Sequence, residues 1–365
     1  MRFLMLEAYY GGSHKAFLDG LVSCLPYSMD VRTLPARHWK WHMRAAALHF
    51  LKELPDLASY DGIFTTNMLG VAEFKGLAGP TCPPIFLYFH ENQFDYPPSP
   101  LSTPDLHPAI TDLTSALAAD ALAFNSQSHK DRFFESAQRV LSRFPKPRLT
   151  WTLEGIRQKS LVLYPGCDLA IFSPMQRTPP QEPPCIVWNH RWEHDKNPKV
   201  FFDALRRLQE RKIPFRLLLL GARNLRIPDI FVQGMSDLKT CLVGWDYPAT
   251  REAYARRLMQ ADIAVSTAIQ ENFGMAIVEA MAAGCVPLLP RRLSYPEILP
   301  VDFHDDLLYV NDEALEGRLA WLLTSLPEQR RSFQGLACWV KRFDWKHQSA
   351  FFAYALRQMV LQKKN

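Results

Sequence analysis

The sequence lacks the features that mark several common classes of protein. Its seven cysteines are an odd number and none forms a Cys-x-x-Cys pair, which argues against a disulfide framework and a zinc site. It contains no run of 18 or more apolar residues, so no membrane-spanning helix is predicted. The apolar residues 2–6 are interrupted at once by Glu7, unlike a secretory leader. We therefore expect a cytoplasmic protein without stable membrane association.

Ligand-binding patterns are also missing. The Gly-x-Gly-x-x-Gly fingerprint of dinucleotide-binding domains does not occur, and neither does an Asp-x-Asp pair or another metal-ligand spacing. We expect no organic cofactor and no metal. What is present is typical of a globular protein: 365 residues, 48% hydrophobic and 22% charged, suffice for two domains with separate cores. The formal net charge of +5 permits a polyanionic partner without requiring one.

The most informative stretch contains Glu271 and Glu279, where a strand pattern changes to a helix pattern. Residues 262–266 are apolar and short enough for a buried strand. Residues 275–283 keep helical spacing, and Gly284 ends them. Glu271 is therefore predicted in the loop, and Glu279 a turn or more into the helix.

The start of this helix suits a diphosphate, because free backbone N–H groups and a partial positive charge lie there. The residues that supply these groups are Asn272, Phe273, Gly274 and Met275. A carboxylate beside a phosphate is unfavourable unless it accepts hydrogen bonds from hydroxyl groups. The two glutamates therefore indicate a sugar and a ribose. The alternative is two surface glutamates attracted by the helix dipole.

Strand and helix patterns alternate along the whole chain, which is typical of parallel sheets covered by helices. Strands are predicted at residues 2–6, 29–34, 61–65, 85–89, 121–124, 161–164, 215–220, 240–243, 262–266 and 286–289, and another begins at Cys185. The proline-rich residues 172–184 are interpreted as a linker. We predict an α/β protein with domains at 1–170 and 171–343 and an apolar-faced helix at 344–365.

Polar residues or glycines follow several predicted strands of the first domain, at the edge where parallel sheets bind ligands. The candidates are Gly11, Gly12, His90, Glu91, Asn92 and Asn125. The glycine pair permits a close backbone approach to a ligand, and a simple turn explains it equally well. The cluster at His90 could orient a small acceptor, the alternative being a buried histidine with satisfied hydrogen bonds.

A basic and aromatic stretch follows the second predicted strand. It contains Arg37, Lys40 and Arg44 together with Trp39 and Trp41. Such a stretch can bind phosphates through its cations and bases through its tryptophans. The alternative is a helix entrance whose tryptophans face the core and whose cations face water. The basic residues 139–148 are the next candidate for contact with a nucleic acid.

Two cations occupy a strand-to-helix loop of the second domain. Arg191 and Lys196 precede a helix that is predicted to begin near Asn197 and Pro198. Their position matches a diphosphate that the Glu271 loop would share. Solvated surface cations are the alternative.

Four separated motifs resemble the tRNA-queuosine mannosyltransferase family. They are residues 6–15, 89–97 and 188–198 and the stretch around Glu271, which resembles the paired glutamates of retaining glycosyltransferases of family 4. The resemblance implies the GT-B fold, with two Rossmann-like domains facing each other across a cleft and a last helix that crosses back to the first domain. Phe94 and Asp95 depart from the family pattern, which affects acceptor detail more than reaction type.

The resemblance also implies residue roles. The donor would be bound by Gly11, Gly12, Arg191, Lys196, Glu271, Asn272, Phe273, Gly274, Met275 and Glu279. The acceptor would be bound by Ser13, His14, Arg37, Lys40, Arg44, His90, Glu91, Asn92 and Asn125. The catalytic set would be His90, Arg191, Lys196 and Glu271, with the two cations on the diphosphate, Glu271 on the mannose and Glu279 on the ribose.

The implied reaction is metal-independent and retains the anomeric configuration. Mannose would pass from GDP-mannose to the cyclopentene hydroxyl of queuosine at the wobble position of tRNA(Asp). Since the leaving diphosphate oxygen can take the acceptor proton, no protein base is required, and His90 would position the acceptor. The implied partners are GDP-mannose and a queuosine-containing tRNA.

Two other functions compete with this one. A GT-B glycosyltransferase could use another nucleotide sugar on a glycan, lipid or small molecule. A non-catalytic RNA-binding module could also keep the fold, but the intact set of two cations and two glutamates argues against it.

Overall fold

The computed structural model describes residues 1–54, 56–96, 105–144, 146–173, 175, 177, 179, 181–221, 227–246 and 248–364. Parts of three predicted segments lie outside the described residues. They are residue 97 of the first-domain motif, residue 145 of the basic segment, and residues 174, 176, 178 and 180 of the predicted linker. The chain divides into two compact units, Met1–Gly166 with Trp345–Asn365, and Cys167–Asp344. Each unit contains one parallel sheet covered by helices, which confirms the predicted α/β fold class.

Among the described residues before 167, the first unit contains six strands and six α-helices. The strands are β1 (Arg2–Tyr10), β2 (Ser28–Pro35), β3 (Gly62–Thr66), β4 (Ile85–Phe89), β5 (Ala121–Phe124) and β6 (Ser160–Val162). The helices are α1 (Gly12–Cys24), α2 (Trp39–Glu53), α3 (Val71–Ala78), α4 (His107–Ala118), α5 (Gln127–Leu141) and α6 (Thr152–Gln158). The sheet order is β2-β1-β3-β4-β5-β6, with neighbouring strands parallel.

The side chains of β4 show how this sheet forms two core layers. Ile85, Leu87 and Phe89 enter one layer, whereas Phe86 and Tyr88 enter the other, because successive side chains of a strand point to opposite faces. All five are buried, which is typical of a central strand in a parallel sheet. The carboxyl end of β4 is thereby fixed, and His90 follows it directly.

The second unit repeats the architecture. Its strands are β7 (Cys185–Trp188), β8 (Arg216–Leu220), β9 (Leu242–Asp246), β10 (Ile263–Val265), β11 (Val286–Pro290) and β12 (Leu308–Tyr309). Its helices are α7 (Pro198–Glu210), α8 (Asp229–Asp237), α9 (Arg251–Leu258), α10 (Met275–Ala282), α11 (Tyr295–Ile298), α12 (His304–Leu307), α13 (Ala314–Gln329) and α14 (Gly335–Trp339). The sheet order is β12-β11-β10-β7-β8-β9, again with parallel neighbours.

The last helix, α15 (Trp345–Lys364), packs on the first unit. Phe352, Leu356 and Val360 are buried in the core layer that contains Phe86 and Tyr88. Within the described part of the chain, no helix is both long and apolar enough to cross a lipid bilayer.

Several element boundaries differ from the sequence prediction. The bounds of β4 and β5 are as predicted, but β1 continues to Tyr10 instead of ending at residue 6. It continues because the buried Glu7 carboxylate accepts hydrogen bonds from the Tyr9 N–H group and the Thr66 hydroxyl. In the basic stretch after β2, Lys40 and Arg44 lie in the first turns of α2, as the helix-entrance alternative predicts, and Arg37 precedes the helix. The strand predicted at 240–243 is shifted to β9.

Candidate active site

The loop between β10 and α10 carries Glu271, and α10 carries Glu279, as the sequence predicts. The turn into the helix requires Gly274, whose φ of 99° is a conformation that side-chain-bearing residues rarely adopt. The preceding Phe273 is buried and its ring lies 5.2 Å from that of Phe343. This contact fixes the loop, so that the N–H groups at the helix start have a defined direction. Helix starts generally offer such N–H groups to an anion. Here the Phe273 N–H group donates to the Glu271 carboxylate.

Lys196 connects this loop to the loop after β7. Its ammonium group donates to the Gln270 carbonyl oxygen at 2.7 Å and lies 3.1 Å from Asp195 and 3.3 Å from Glu271. Since an ammonium group has three N–H donors, all three are directed to protein oxygens. The side chain of Lys196 is only 8% exposed, so these contacts are shielded from water.

The charges in this cluster support one another. Burial acts to raise the pKa of Glu271, but the Lys196 charge and the hydrogen bonds from Lys196 and the Phe273 N–H group together outweigh it, and the pKa is lowered. Burial likewise acts to lower the pKa of Lys196, and the carboxylates of Glu271 and Asp195 reverse the effect. Burial and the Lys196 charge lower the pKa of the neighbouring His190 to about 4. At neutral pH the cluster therefore contains two carboxylates, one ammonium and one neutral imidazole.

Arg191 lies in the same loop but reaches solvent. Its side chain is 56% exposed and forms an ion pair with Glu193 at 3.2 Å. An exposed guanidinium can leave such a pair at little free-energy cost, since exposed ion pairs are weak. Arg191 is therefore the exposed cation of the loop, and Lys196 the buried one.

Glu279 is held by residues that the sequence did not indicate. The Arg251 guanidinium lies 2.7 Å from its carboxylate and also donates to the Asp168 carbonyl oxygen. Asn189 donates to the Tyr254 hydroxyl and to the Ala276 carbonyl oxygen, which ties β7 to α9 and α10. The carboxylate of Glu279 is thus oriented by α9 as well as by its own helix.

The first unit has its own polar cluster where β1 meets α1. Gly11 lies so close to Ala36 that a Cβ atom would approach its Cβ to 2.4 Å, and Gly12 has a φ of 53°. The glycine pair is therefore required by packing and turn geometry. It places Ser13 at the surface and His14 in a buried position, where Nδ1 lies 3.3 Å from the Glu7 carboxylate.

His90 lies against this pair. Its ring centroid is 4.2 Å from that of His14 and 4.6 Å from that of Phe17. Asn125 donates to the His90 carbonyl oxygen at 2.8 Å and accepts from His129 at 2.7 Å, so it fixes the backbone that carries His90. Burial and the neighbouring His14 lower the pKa of His90 well below its usual range, and the imidazole is neutral at pH 7.

The two residues after His90 differ in exposure. Glu91 is partly exposed and accepts a hydrogen bond from Gln93. Asn92 is fully buried, and its amide oxygen accepts the N–H group of Asp95. The hydrogen bond of Asn92 stabilises the turn, whereas the Glu91 carboxylate remains partly accessible to solvent.

Among the described residues, one group of three side chains could hold a metal ion, namely Glu7, His14 and His90. Each offers one ligand atom, and these three atoms lie within 4.8 Å of one another. The sequence spacing did not reveal it, because the three residues come from β1, α1 and the end of β4. The carboxylate of Glu7 is already satisfied by protein donors, however, namely the Thr66 hydroxyl, the Tyr9 N–H group and His14. The cluster is therefore stable without a cation.

The basic stretch at the start of α2 is largely paired. Lys40 lies 2.7 Å from Asp105, and Arg44 lies 3.5 Å from Glu73. Trp39 packs partly against the core, but Trp41 is 70% exposed. At this helix entrance, Trp39 is therefore partly packed on the core, and Trp41 faces solvent.

Both parts of the chain match families of known proteins. Residues 2–167 match the family described as tRNA-queuosine alpha-mannosyltransferase N-terminal, and residues 172–334 match glycosyl transferases group 1. The tRNA-queuosine alpha-mannosyltransferase of Drosophila melanogaster is 35% identical over 328 residues, 87% of this chain and 85% of that protein. The chain belongs to the tRNA-queuosine alpha-mannosyltransferase family. It is therefore a glycosyltransferase, as the four sequence motifs predict.

A more distant relative is another mannosyltransferase. The GDP-Man:Man(3)GlcNAc(2)-PP-Dol alpha-1,2-mannosyltransferase of Xenopus tropicalis is 25% identical over 200 residues, 50% of this chain and 41% of that protein. Membership in the tRNA-queuosine alpha-mannosyltransferase family rests on the much longer Drosophila match.

Solved structures of other proteins share the fold of this chain. Sucrose-phosphate synthase from Thermosynechococcus elongatus superposes with a TM-score of 0.76 at 14% identity, covering 99% of this chain and 100% of that one. Anabaena HepE in complex with UDP and glucose gives a TM-score of 0.67 at 16% identity, covering 98% and 99%. The likeness confirms the GT-B fold.

Proposed function

We propose that this protein transfers mannose from GDP-mannose to the cyclopentene hydroxyl of queuosine at the wobble position of tRNA(Asp). The observation that carries the proposal is the buried contact between Lys196 and Glu271 at the loop before α10. It supplies an ionised hydrogen-bond acceptor for sugar hydroxyls and a fixed cation beside a helix start that suits a diphosphate.

Donor binding would change the partners of this pair. Glu271 would accept hydroxyl groups of the mannose, and the N–H group that Lys196 directs to Glu271 would turn to the diphosphate. Arg191 would leave its exposed pair with Glu193 and meet the same diphosphate. Glu279, already oriented by Arg251, would accept the ribose hydroxyls.

The chemical step then needs charge stabilisation more than a base. The bond between the anomeric carbon and the diphosphate oxygen breaks, the acceptor oxygen bonds to the same carbon on the same face, and its proton passes to the leaving diphosphate. The two cations stabilise the negative charge that develops on the leaving group. His90, neutral and held by Asn125, would position the acceptor hydroxyl.

The acceptor and the donor can be tested together by radiolabel transfer. Bulk tRNA from queuosine-containing and queuosine-free cells is incubated with labelled GDP-mannose, and parallel reactions contain labelled UDP-glucose. We expect label only in queuosine-containing tRNA and only from GDP-mannose. Equal labelling of both tRNA preparations, or transfer from UDP-glucose alone, would refute the assignment.

A further inference from the structure

The positive charge of the chain is concentrated in one segment of the first unit. Residues 130–159 contain eight lysines and arginines but only three acidic residues, a net charge of +5 that equals the formal net charge of the whole chain. The remainder of the sequence is therefore neutral in sum. A charge gathered in this way is typical of a surface that binds a polyanion.

Four cations of this segment, at and after the end of α5, lie in solvent. Arg139 is in the last turn of α5, and Arg143, Lys146 and Arg148 follow that helix; all four are exposed. Within the described residues, none of the four has an ion-pair partner or a side-chain hydrogen bond, in contrast to Lys40 and Arg44 on α2. Their charges are free to meet phosphate groups.

An exposed tryptophan ends the segment. Trp151 is 71% exposed and closes a short turn, Leu149–Trp151, that leads into α6. The turn is fixed because the Thr152 hydroxyl donates to the Leu149 carbonyl oxygen at 2.7 Å and Ile156 is buried in the core. A large, exposed aromatic ring on a fixed turn near exposed cations matches the combination that proteins use to stack an unpaired base.

The surface is connected to the acceptor cluster by α5. This helix begins two residues after Asn125, which holds the His90 backbone, and its 15 residues span about 22 Å at 1.5 Å each. A nucleic-acid arm with a base near His90 could reach the end of α5 over about six or seven nucleotides, since successive phosphates of a strand follow the helix axis at about 3.4 Å.

We propose that Arg139, Arg143, Lys146, Arg148 and Trp151 form the principal tRNA-binding surface of this protein, with the cations on phosphates and the Trp151 indole on an unpaired base. The proposal rests on the proposed function, which supplies tRNA as the polyanion. It takes precedence over the α2 stretch, because the carboxylates of Asp105 and Glu73 lie beside Lys40 and Arg44 and offset their positive charge.

Two matched sets of variants test the surface in the full-length protein. The first set is R139A/R143A/R148A and W151A, and the second is R37A/K40A/R44A and W41A. Trp41 is a close control for Trp151 because 70% of its surface is exposed against 71%. Urea unfolding and GDP binding are measured for every variant, so that loss of folding or of the donor site is recognised.

The readout is the dissociation constant for queuosine-containing tRNA as a function of salt. We expect R139A/R143A/R148A to reduce the salt slope by roughly 0.7 to 0.9 for each lost phosphate contact. W151A should weaken binding by about 5- to 150-fold with little change in slope. The second set should reduce the affinity and the salt slope less than the first set does.

The outcomes separate this proposal from the proposed function. If the first set binds tRNA normally, or the second set alone loses the salt dependence, the surface is wrong although tRNA can still be the acceptor. If the wild type binds GDP but no tRNA at low salt, the acceptor assignment fails and the surface fails with it.

Discussion

The ammonium group of Lys196 lies 3.3 Å from the Glu271 carboxylate, although 75 residues of sequence separate the two side chains. Asp195 supplies a second buried carboxylate, 3.1 Å from the same nitrogen. Loss of the lysine would leave two carboxylates without their common cation. Lys196 therefore has a structural role as well as its proposed role with the donor.

Replacement of Lys196 by methionine should lower both stability and turnover. A buried ion pair that loses one partner typically destabilises a protein by about 3 to 5 kcal/mol. Urea unfolding of Lys196→Met should show a loss of this size. Adding Asp195→Asn should restore part of the stability, because one uncompensated charge disappears, but it should not restore turnover. Unchanged unfolding of the single variant would contradict the buried charge cluster.

Arg191 should affect catalysis without affecting stability. Because its side chain is exposed, Arg191→Ala should keep the wild-type unfolding curve while turnover falls by about 100-fold, the scale of one lost charge-stabilising group. Arg211→Ala is the matched control, since Arg211 is 52% exposed in the same unit and pairs with Glu316. A normal rate for Arg191→Ala, or an equal loss for Arg211→Ala, would rule out the diphosphate role.

The proposed contact between Glu279 and the ribose can be isolated by a thermodynamic cycle. Glu279→Ala should weaken GDP binding by about 1.5 to 3 kcal/mol, the range for a hydrogen bond to a charged group. Wild-type protein should show a similar loss with GDP analogues that lack the 2′- or 3′-hydroxyl, and the variant should show little further loss with them. Full additivity of the two losses, measured by calorimetry, would show that Glu279 does not contact the ribose.

Activity should survive exhaustive treatment with EDTA. The reason is that Glu7, a member of the Glu7–His14–His90 cluster, already accepts hydrogen bonds from protein donors. Transfer rates are compared before and after chelation and after adding back magnesium, manganese or zinc. Loss of activity with EDTA and recovery with one of these ions would assign a metal to the cluster.

His129 should make folding sensitive to mild acid. Burial holds its pKa well below the usual 6.5, so the unfolded chain takes up a proton below pH 6.5 that the folded protein does not. Unfolding is therefore favoured as the pH falls. In His129→Asn, which keeps a donor for Asn125, the free energy of unfolding between pH 5 and 6.5 should fall less steeply, by up to about 1.4 kcal/mol per pH unit. Parallel curves for variant and wild type would exclude this contribution.

The fold was predictable where the sequence pattern is continuous. β4 and β5 are uninterrupted apolar runs with turn-forming or polar residues beside them, and both have the predicted bounds. β1 was predicted too short because Glu7 looked like the end of a strand. A carboxylate can stay in a strand when donors surround it, and those donors include Thr66, 59 residues away.

The site was predictable only in its local part. The change from strand to helix spacing placed Glu271 in a loop and Glu279 on a helix, because both positions depend on neighbouring residues. Arg251, which orients Glu279, depends on a contact across the fold and meets it over 28 residues of sequence. Such contacts leave no periodic signal in the sequence.

Mass spectrometry of nucleosides from purified tRNA(Asp) tests the central proposal most directly. The tRNA is incubated with GDP-mannose and either the wild type or Glu271→Gln, then digested. We predict that the wild type converts the queuosine peak into queuosine carrying one additional hexose, while Glu271→Gln leaves queuosine almost unchanged. Queuosine that stays unmodified with active wild-type protein, or that is modified equally well by Glu271→Gln, would contradict the account.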